Sequence, residues 1–145
     1  MTNFHITQKE AEEFLKEEKY RIDDTEHLFP ELGGLISISL KAKTHGENYS
    51  LDIRRGNIAL KKITLQTRVR KEIILARLDV GGPLHRNPDG VEISCPHLHL
   101  YREGFGDRWA YPLPHNFTNP DDIWLSLGEF MDYCNIVEKP LIRGK

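Results

Sequence analysis

The chain of 145 residues and 16.8 kDa has the size of one domain, and its 39% hydrophobic content fills one packed core. With 29% charged and 9% aromatic residues, 11 Gly and 8 Pro, its composition excludes collagen-like, low-complexity and disordered chains. The net charge of −2 speaks against a protein that is basic over its whole surface, yet it averages −5 over residues 1–32, +7 over 41–77 and −4 over 78–145.

Thr7 followed by Glu10 is a capping box, so a helix opens the chain, with Ala11, Phe14 and Leu15 as its buried stripe. Residues 21–34, ending in Gly33-Gly34, read as a connector. The period then changes to two. Ile36, Ile38, Leu40 and Ala42 form one strand face, and Tyr49, Leu51 and Ile53 form another after a turn at His45 to Asn48. Ile58 and Leu60, then Ile63, Leu65 and Val69, share a face only if Lys61-Lys62 hosts a β-bulge. Ile74, Ala76, Leu78 and Val80 form the next strand. Asn87-Pro88-Asp89-Gly90 is a turn, and Ile93 to Arg102 a last core strand that Pro96 marks as an edge or a bulge. Asn119-Pro120-Asp121-Asp122 is read as an N-cap with Pro at the first helical position. Ile123, Leu125, Leu127, Phe130, Met131 and Cys134 are the stripe of that last helix. The expected fold is α+β: a single domain over 1–145, with a curved antiparallel β-sheet of five or six strands and an N-terminal and a C-terminal helix on its core face.

Two cysteines, Cys95 and Cys134, make no disulfide framework, and no leader or membrane-length apolar run is visible, so a cytoplasmic protein without a membrane partner is expected. The chemistry concentrates between Arg77 and Trp109. Leu78 and Val80 turned inward leave Arg77 and Asp79 on the other face, and Leu98 and Leu100 do the same for His97, His99 and Tyr101. If these strands pair, two imidazoles, a phenol, a guanidinium and a carboxylate converge, with His85 and Arg86 on the rim. Such a set can donate and accept protons beside a fixed cation. The plain alternative is the solvated face of an amphipathic sheet.

The basic block adds Arg54, Arg55, Lys62, Gln66, Arg68 and Arg70 on outward positions and turns, a surface that can follow a phosphate backbone while Tyr49 or Tyr101 stacks a base. It reads equally as a charged face that docks an acidic partner. His97-x-His99 followed by Glu103 resembles half of the metal motif of cupins. The second half is missing, and Cys95 with Cys134 does not complete a zinc set. No cofactor and no metal is therefore expected. Walker, dinucleotide, nucleophile-elbow and His-Glu-x-x-His motifs are absent.

The run from Leu51-Asp52-Ile53 through Arg77-Leu78-Asp79, His85-Arg86-Asn87-Pro88-Asp89-Gly90, Pro96-His97-Leu98-His99-Leu100-Tyr101-Arg102-Glu103-Gly104 and Trp109-Ala110 resembles a family of uncharacterised small bacterial proteins. The Arg77-x-Asp79 and Pro96-His97-x-His99 segments are also similar to small RNA-directed toxins of bacterial toxin–antitoxin pairs. That resemblance implies an RNA-directed activity centred on Arg77, Asp79, His97 and His99. The expectation is thus a nucleic-acid-acting protein: a metal-independent ribonuclease in which one of His97 and His99 accepts the proton of a ribose 2′-hydroxyl and the other protonates the leaving oxygen. Arg77 would stabilise the phosphorane and Asp79 orient an imidazole. The alternative is a non-catalytic module, such as an antitoxin or a regulator, that docks RNA or a cognate protein partner. A cupin-like metal protein is the third reading.

Overall fold

Thr7 and Glu10 do cap the first helix: the Glu10 amide donates to Thr7 Oγ1 (3.0 Å) and the Thr7 amide to Glu10 Oε1 (2.9 Å). The structure is a computed structural model and describes residues 5–43, 46–57 and 62–144. The turn read at His45 and the strand read through Ile58 and Leu60, with the bulge at Lys61, lie at least partly outside the described residues. In chain order the elements are α1 (Gln8–Lys16), β1 (Lys19–Arg21), β2 (Glu26–Leu28), β3 (Leu35–Ala42), β4 (Asn48–Arg55), β5 (Ile63–Val69) and β6 (Ile73–Val80). They continue with β7 (His85–Arg86), β8 (Glu92–Ile93), β9 (His97–Leu100), β10 (Ala110–Pro112), α2 (Ile123–Tyr133), β11 (Ile136–Glu138) and β12 (Leu141–Arg143).

The α+β class stands, but the sheet is larger than expected. Eight strands run in the order β10-β9-β6-β5-β4-β3-β1-β11, all antiparallel except β1 with β11, and the sheet is not strongly curled. The supposed connector over residues 21–34 carries β2, which pairs in parallel with β12 outside the main sheet, while β1 just before it joins the sheet. Strands of three residues such as these show no alternation to read. Within β6 a bulge occurs at Leu75: Thr67 pairs with Ala76 and Arg68 with Ile74. It lets Leu75 and Ala76 both be buried in succession and leaves Ile74 half-exposed. The strand read from Ile93 to Arg102 is broken at Ser94 to Pro96, where β8 of the small β7–β8 hairpin ends, so Pro96 marks this break and neither an edge nor a bulge. It precedes β9, which lies between β6 and β10.

One face of the sheet carries the core. Leu40, Leu51, Ile53, Leu65, Leu78 and Leu98 pack there with Ala11 of α1 and Leu127, Phe130 and Met131 of α2. The N-cap of α2 is Asp122, whose carboxylate accepts from the Leu125 amide (3.0 Å), so Pro120 lies before the helix and not at its first position. Leu125 is exposed and Ser126 takes its place in the buried stripe.

Both helices are tied to the sheet by a buried cation. Lys19, fully buried at the start of β1, donates through Nζ to the carbonyls of Phe14 (2.8 Å), Leu15 (3.1 Å), Glu17 (2.9 Å) and Cys134 (2.8 Å), and lies 4.7 Å from the centre of the Tyr49 ring. These are carbonyls that the ends of α1 and α2 leave unsatisfied, where a positive charge also meets the negative ends of two helix dipoles. Burial holds its ammonium down at about 8. Replacing Lys19 with Met leaves those carbonyls without their donor. Equilibrium urea unfolding should show Lys19→Met destabilised by about 3 kcal/mol, and a loss below about 0.5 kcal/mol would deny the lysine this part.

Candidate functional site

The sheet face opposite the helices is polar because of register. β6 and β9 pair as the sequence suggested, with Leu78 opposite Leu98, Arg77 opposite His99 and Asp79 opposite His97. The same registers continue across β5 and β4. Ser37, Asp52, Gln66, Arg77 and His99 stand in one cross-strand row, and Arg54, Thr64, Asp79 and His97 in the next.

Asp79 is the hub of the cluster. Its Oδ2 lies 3.2 Å from Nε2 of His97 and 3.2 Å from Nε2 of His99, and its Oδ1 accepts from Thr64 Oγ1 (3.2 Å) and faces Arg77 Nε (3.4 Å). Burial alone would raise its carboxyl. The His99 hydrogen bond and the charges of Arg77, His99 and His97 outweigh that and hold it below its ordinary value. Arg77 also donates to Asp107 (2.6 Å) and reaches His99 Nε2 (3.1 Å). His99 Nδ1 donates to the Asp107 carbonyl (2.8 Å) and His97 Nδ1 to the Ser94 carbonyl (3.2 Å), which fixes both rings.

A second device brings His85 over this pair. Asn87 is buried, and its side chain mimics a strand: Nδ2 donates to the Ala110 carbonyl (2.9 Å) and Oδ1 accepts from the Ala110 amide (2.8 Å). Pro88-Asp89-Gly90, with Gly90 at φ 89°, closes the β7–β8 hairpin behind it. The docked hairpin sets the His85 ring 4.6 Å from that of His99 and 6.0 Å from that of His97, and His85 Nε2 donates to the Arg108 carbonyl (2.7 Å). His97 and His99 are consequently buried beneath it, while Arg77 and Asp79 remain about a quarter exposed.

Beside the cluster lies a cleft of about 360 Å³ lined by Arg54, Lys62, Thr64, Gln66, Arg77, Asp79, His85 and His97. Of the expected site residues, therefore, Arg77, Asp79, His85, His97 and His99 come together, and Arg54, Lys62 and Gln66 join them. Tyr101 does not: past the end of β9 its side chain turns to the core, where its hydroxyl bonds both the carbonyl and the amide of Ile6. Tyr49 is buried with its hydroxyl on Glu17, so neither tyrosine offers a stacking platform. Arg55 turns to the Pro30 carbonyl and the Phe29 ring. Arg68 is held in a fork by Asp52, Arg70 pairs with Glu47 and Arg86 with Glu92. Glu103 accepts from the Gln8 amide at α1, and Cys95 donates to the Asp79 carbonyl, so neither belongs to a metal set with the histidines.

Asp107 was not legible as a site residue, since a lone Asp in a Gly-rich turn signals only the turn. Among the described residues the group able to hold a metal ion is Asp79, His97 and His99. No helix of the described residues is long and apolar enough to cross a membrane.

Residues 6–136 match the family of unknown function DUF6978. No curated protein and no solved structure matches the chain.

Because Asp79 is held below its ordinary value of 3.8, its ionised form stabilises the fold at full strength above that value and loses this contribution as pH falls through the folded value. The difference in unfolding free energy between wild type and Asp79→Asn should therefore shrink as pH falls below about 4. Urea titrations from about pH 5 to about pH 3 measure it, and a difference that grows below about 4 contradicts the assignment.

Proposed function

The chain belongs to DUF6978, and we propose that this member is a cytoplasmic protein acting on RNA, with the phosphodiester backbone taken into the cleft beside Asp79. One observation carries this reading: two cations of the basic block, Arg54 and Lys62, line the same cleft as Arg77 and His85. Arg68, Arg70 and Arg86 are neutralised in ion pairs, so these three offer less to a polyanion than the two cations in the cleft.

His85 is the imidazole suited to meet a substrate. Its Nε2 is committed as a donor to the Arg108 carbonyl, which leaves Nδ1 with a lone pair, whereas both nitrogens of His97 and of His99 are engaged. In the cleavage reading His85 Nδ1 accepts the 2′-hydroxyl proton, the 2′-oxygen bonds to phosphorus as the bond to the 5′-oxygen breaks, the 5′-oxygen takes a proton from solvent, and Arg77, oriented by Asp107 and Asp79, places its charge where the phosphorane develops. His97 and His99 act as positioning residues. The alternative, a non-catalytic module whose cleft docks RNA or the carboxylates of a cognate protein partner, uses the same Arg54 and Lys62 without needing His85.

Fluorescence anisotropy with a labelled single-stranded RNA at increasing salt separates these. Binding should weaken with salt, and the Arg54→Ala, Lys62→Ala double variant should reduce the slope of log K against log salt by about 1.4, two phosphate contacts at about 0.7 each. Cleavage lost in His85→Ala with binding retained supports the nuclease. Binding without cleavage in the wild type supports the docking module, and no binding of RNA by the wild type at low salt overturns the RNA reading.

A further inference from the structure

The acid–base reading leaves the convergence on Asp79 Oδ2 unused. Both Nδ1 atoms donate to backbone carbonyls, so Nε2 of each ring is left to face the same carboxylate oxygen, an arrangement that holds together with a proton or a metal ion between them. Without those protons three acceptor atoms face one another, and among the described residues the donor in reach of Nε2 is Arg77 Nη2 at His99. Acceptors arranged this way repel unless something positive stands among them.

We infer that Asp79, His97 and His99 form a binding site for a divalent transition-metal ion. The spacing fits. The Oδ2-to-Nε2 separations are 3.2 Å and 3.2 Å, and a tetrahedral ion with bonds of about 2.0–2.1 Å sets its ligand atoms about 3.3 Å apart. All three ligand atoms lie within 4.8 Å of one another, so the two rings approach by at most about 1.5 Å to close the set. The outer contacts also fit, since a metal-bound imidazole donates its other N–H to a carbonyl or carboxylate, and both rings already do so. Two imidazoles and one carboxylate suit Zn²⁺ and other first-row divalent ions.

The nearby cation is accommodated. Arg77 gives up its contact with His99 Nε2 and keeps Asp107 and the other oxygen of Asp79. With neutral imidazoles, Asp79 and Asp107 against Arg77 leave one net negative charge, which a divalent ion turns to one net positive. Three protein ligands leave a coordination position for water or an anionic oxygen. His97 and Asp79 also line the cleft, which gives the ion a way in. The inference goes beyond the RNA reading and stands apart from it, because it rests on the ligand geometry alone.

Zn²⁺ titrated into the full chain, after dialysis against chelator, tests the site without any RNA, so either reading can fail alone. Calorimetry should give one ion per chain, weakened about 100-fold or more in Asp79→Asn and in His99→Gln and unchanged in the exposed-site control His115→Ala. Since the buried His99 variant can also lose its fold, each variant is compared by near-ultraviolet circular dichroism. The wild type supplies a second measurement: long-range ¹⁵N–¹H spectra should show Nε2 of His97 and of His99 shifting on Zn²⁺ addition. Spectra in which both Nε2 atoms carry protons and do not respond to Zn²⁺ would mean that protons alone fill the cluster, and would overturn the inference. So would binding that survives both substitutions.

Discussion

The site depends on the pairing of β6 with β9. A strand alternates its side chains, so opposing Leu78 to Leu98 on the core face forces Arg77 against His99 and Asp79 against His97 on the other. A slip of one residue would bury the charged set and expose the leucines, and the apolar core forbids it. The hydrophobic effect therefore positions polar groups that it never touches. Its action extends further, because the same registers through β5 and β4 deliver Thr64, Gln66 and Asp52 to the same face.

Register alone brings residues together without fixing their roles. That is done by groups outside the two strands. The turn before β10 supplies the Asp107 carbonyl to His99 and the Asp107 carboxylate to Arg77, and the hairpin of β7 and β8, fastened by Asn87 to Ala110, lays His85 over both buried rings. Each histidine thus has at least one nitrogen committed to a backbone carbonyl, which is why the three imidazoles differ in what they can do although they lie within 6.0 Å of one another. The basic block is resolved in a similar way. Asp52 and Glu47 neutralise Arg68 and Arg70 locally, Glu92 does so for Arg86, and Arg54 and Lys62 face the cleft.

The opposite face depends on the buried Lys19, whose four carbonyl partners come from the ends of α1 and α2. A buried ammonium is costly unless its donors are used, and here they satisfy acceptors that no other donor of the helices reaches. Its neighbour Cys134 has its thiol pushed up to about 12 by burial, so it behaves as an apolar core group.

Two levels of information separate cleanly. Alternation with period two in Ile36 to Ala42, Tyr49 to Ile53 and Leu78 to Val80, the Thr7–Glu10 capping box and the turn chemistry of Asn87 to Gly90 are local, so the sequence by itself determined two terminal helices, the central antiparallel strands and the convergence of Arg77, Asp79, His97 and His99. The eight-strand size of the sheet, the parallel pairing of β1 with β11, the inward turn of Tyr101 and the pairing of Arg68 with Asp52 were not legible. Strands of three residues carry no period, and which carboxylate meets which guanidinium depends on strands 16 residues apart or more. Only the tertiary structure decided that His85 lies over the buried pair with its Nε2 on the Arg108 carbonyl, because that outcome is set by one amide, Asn87, gripping a strand 23 residues away.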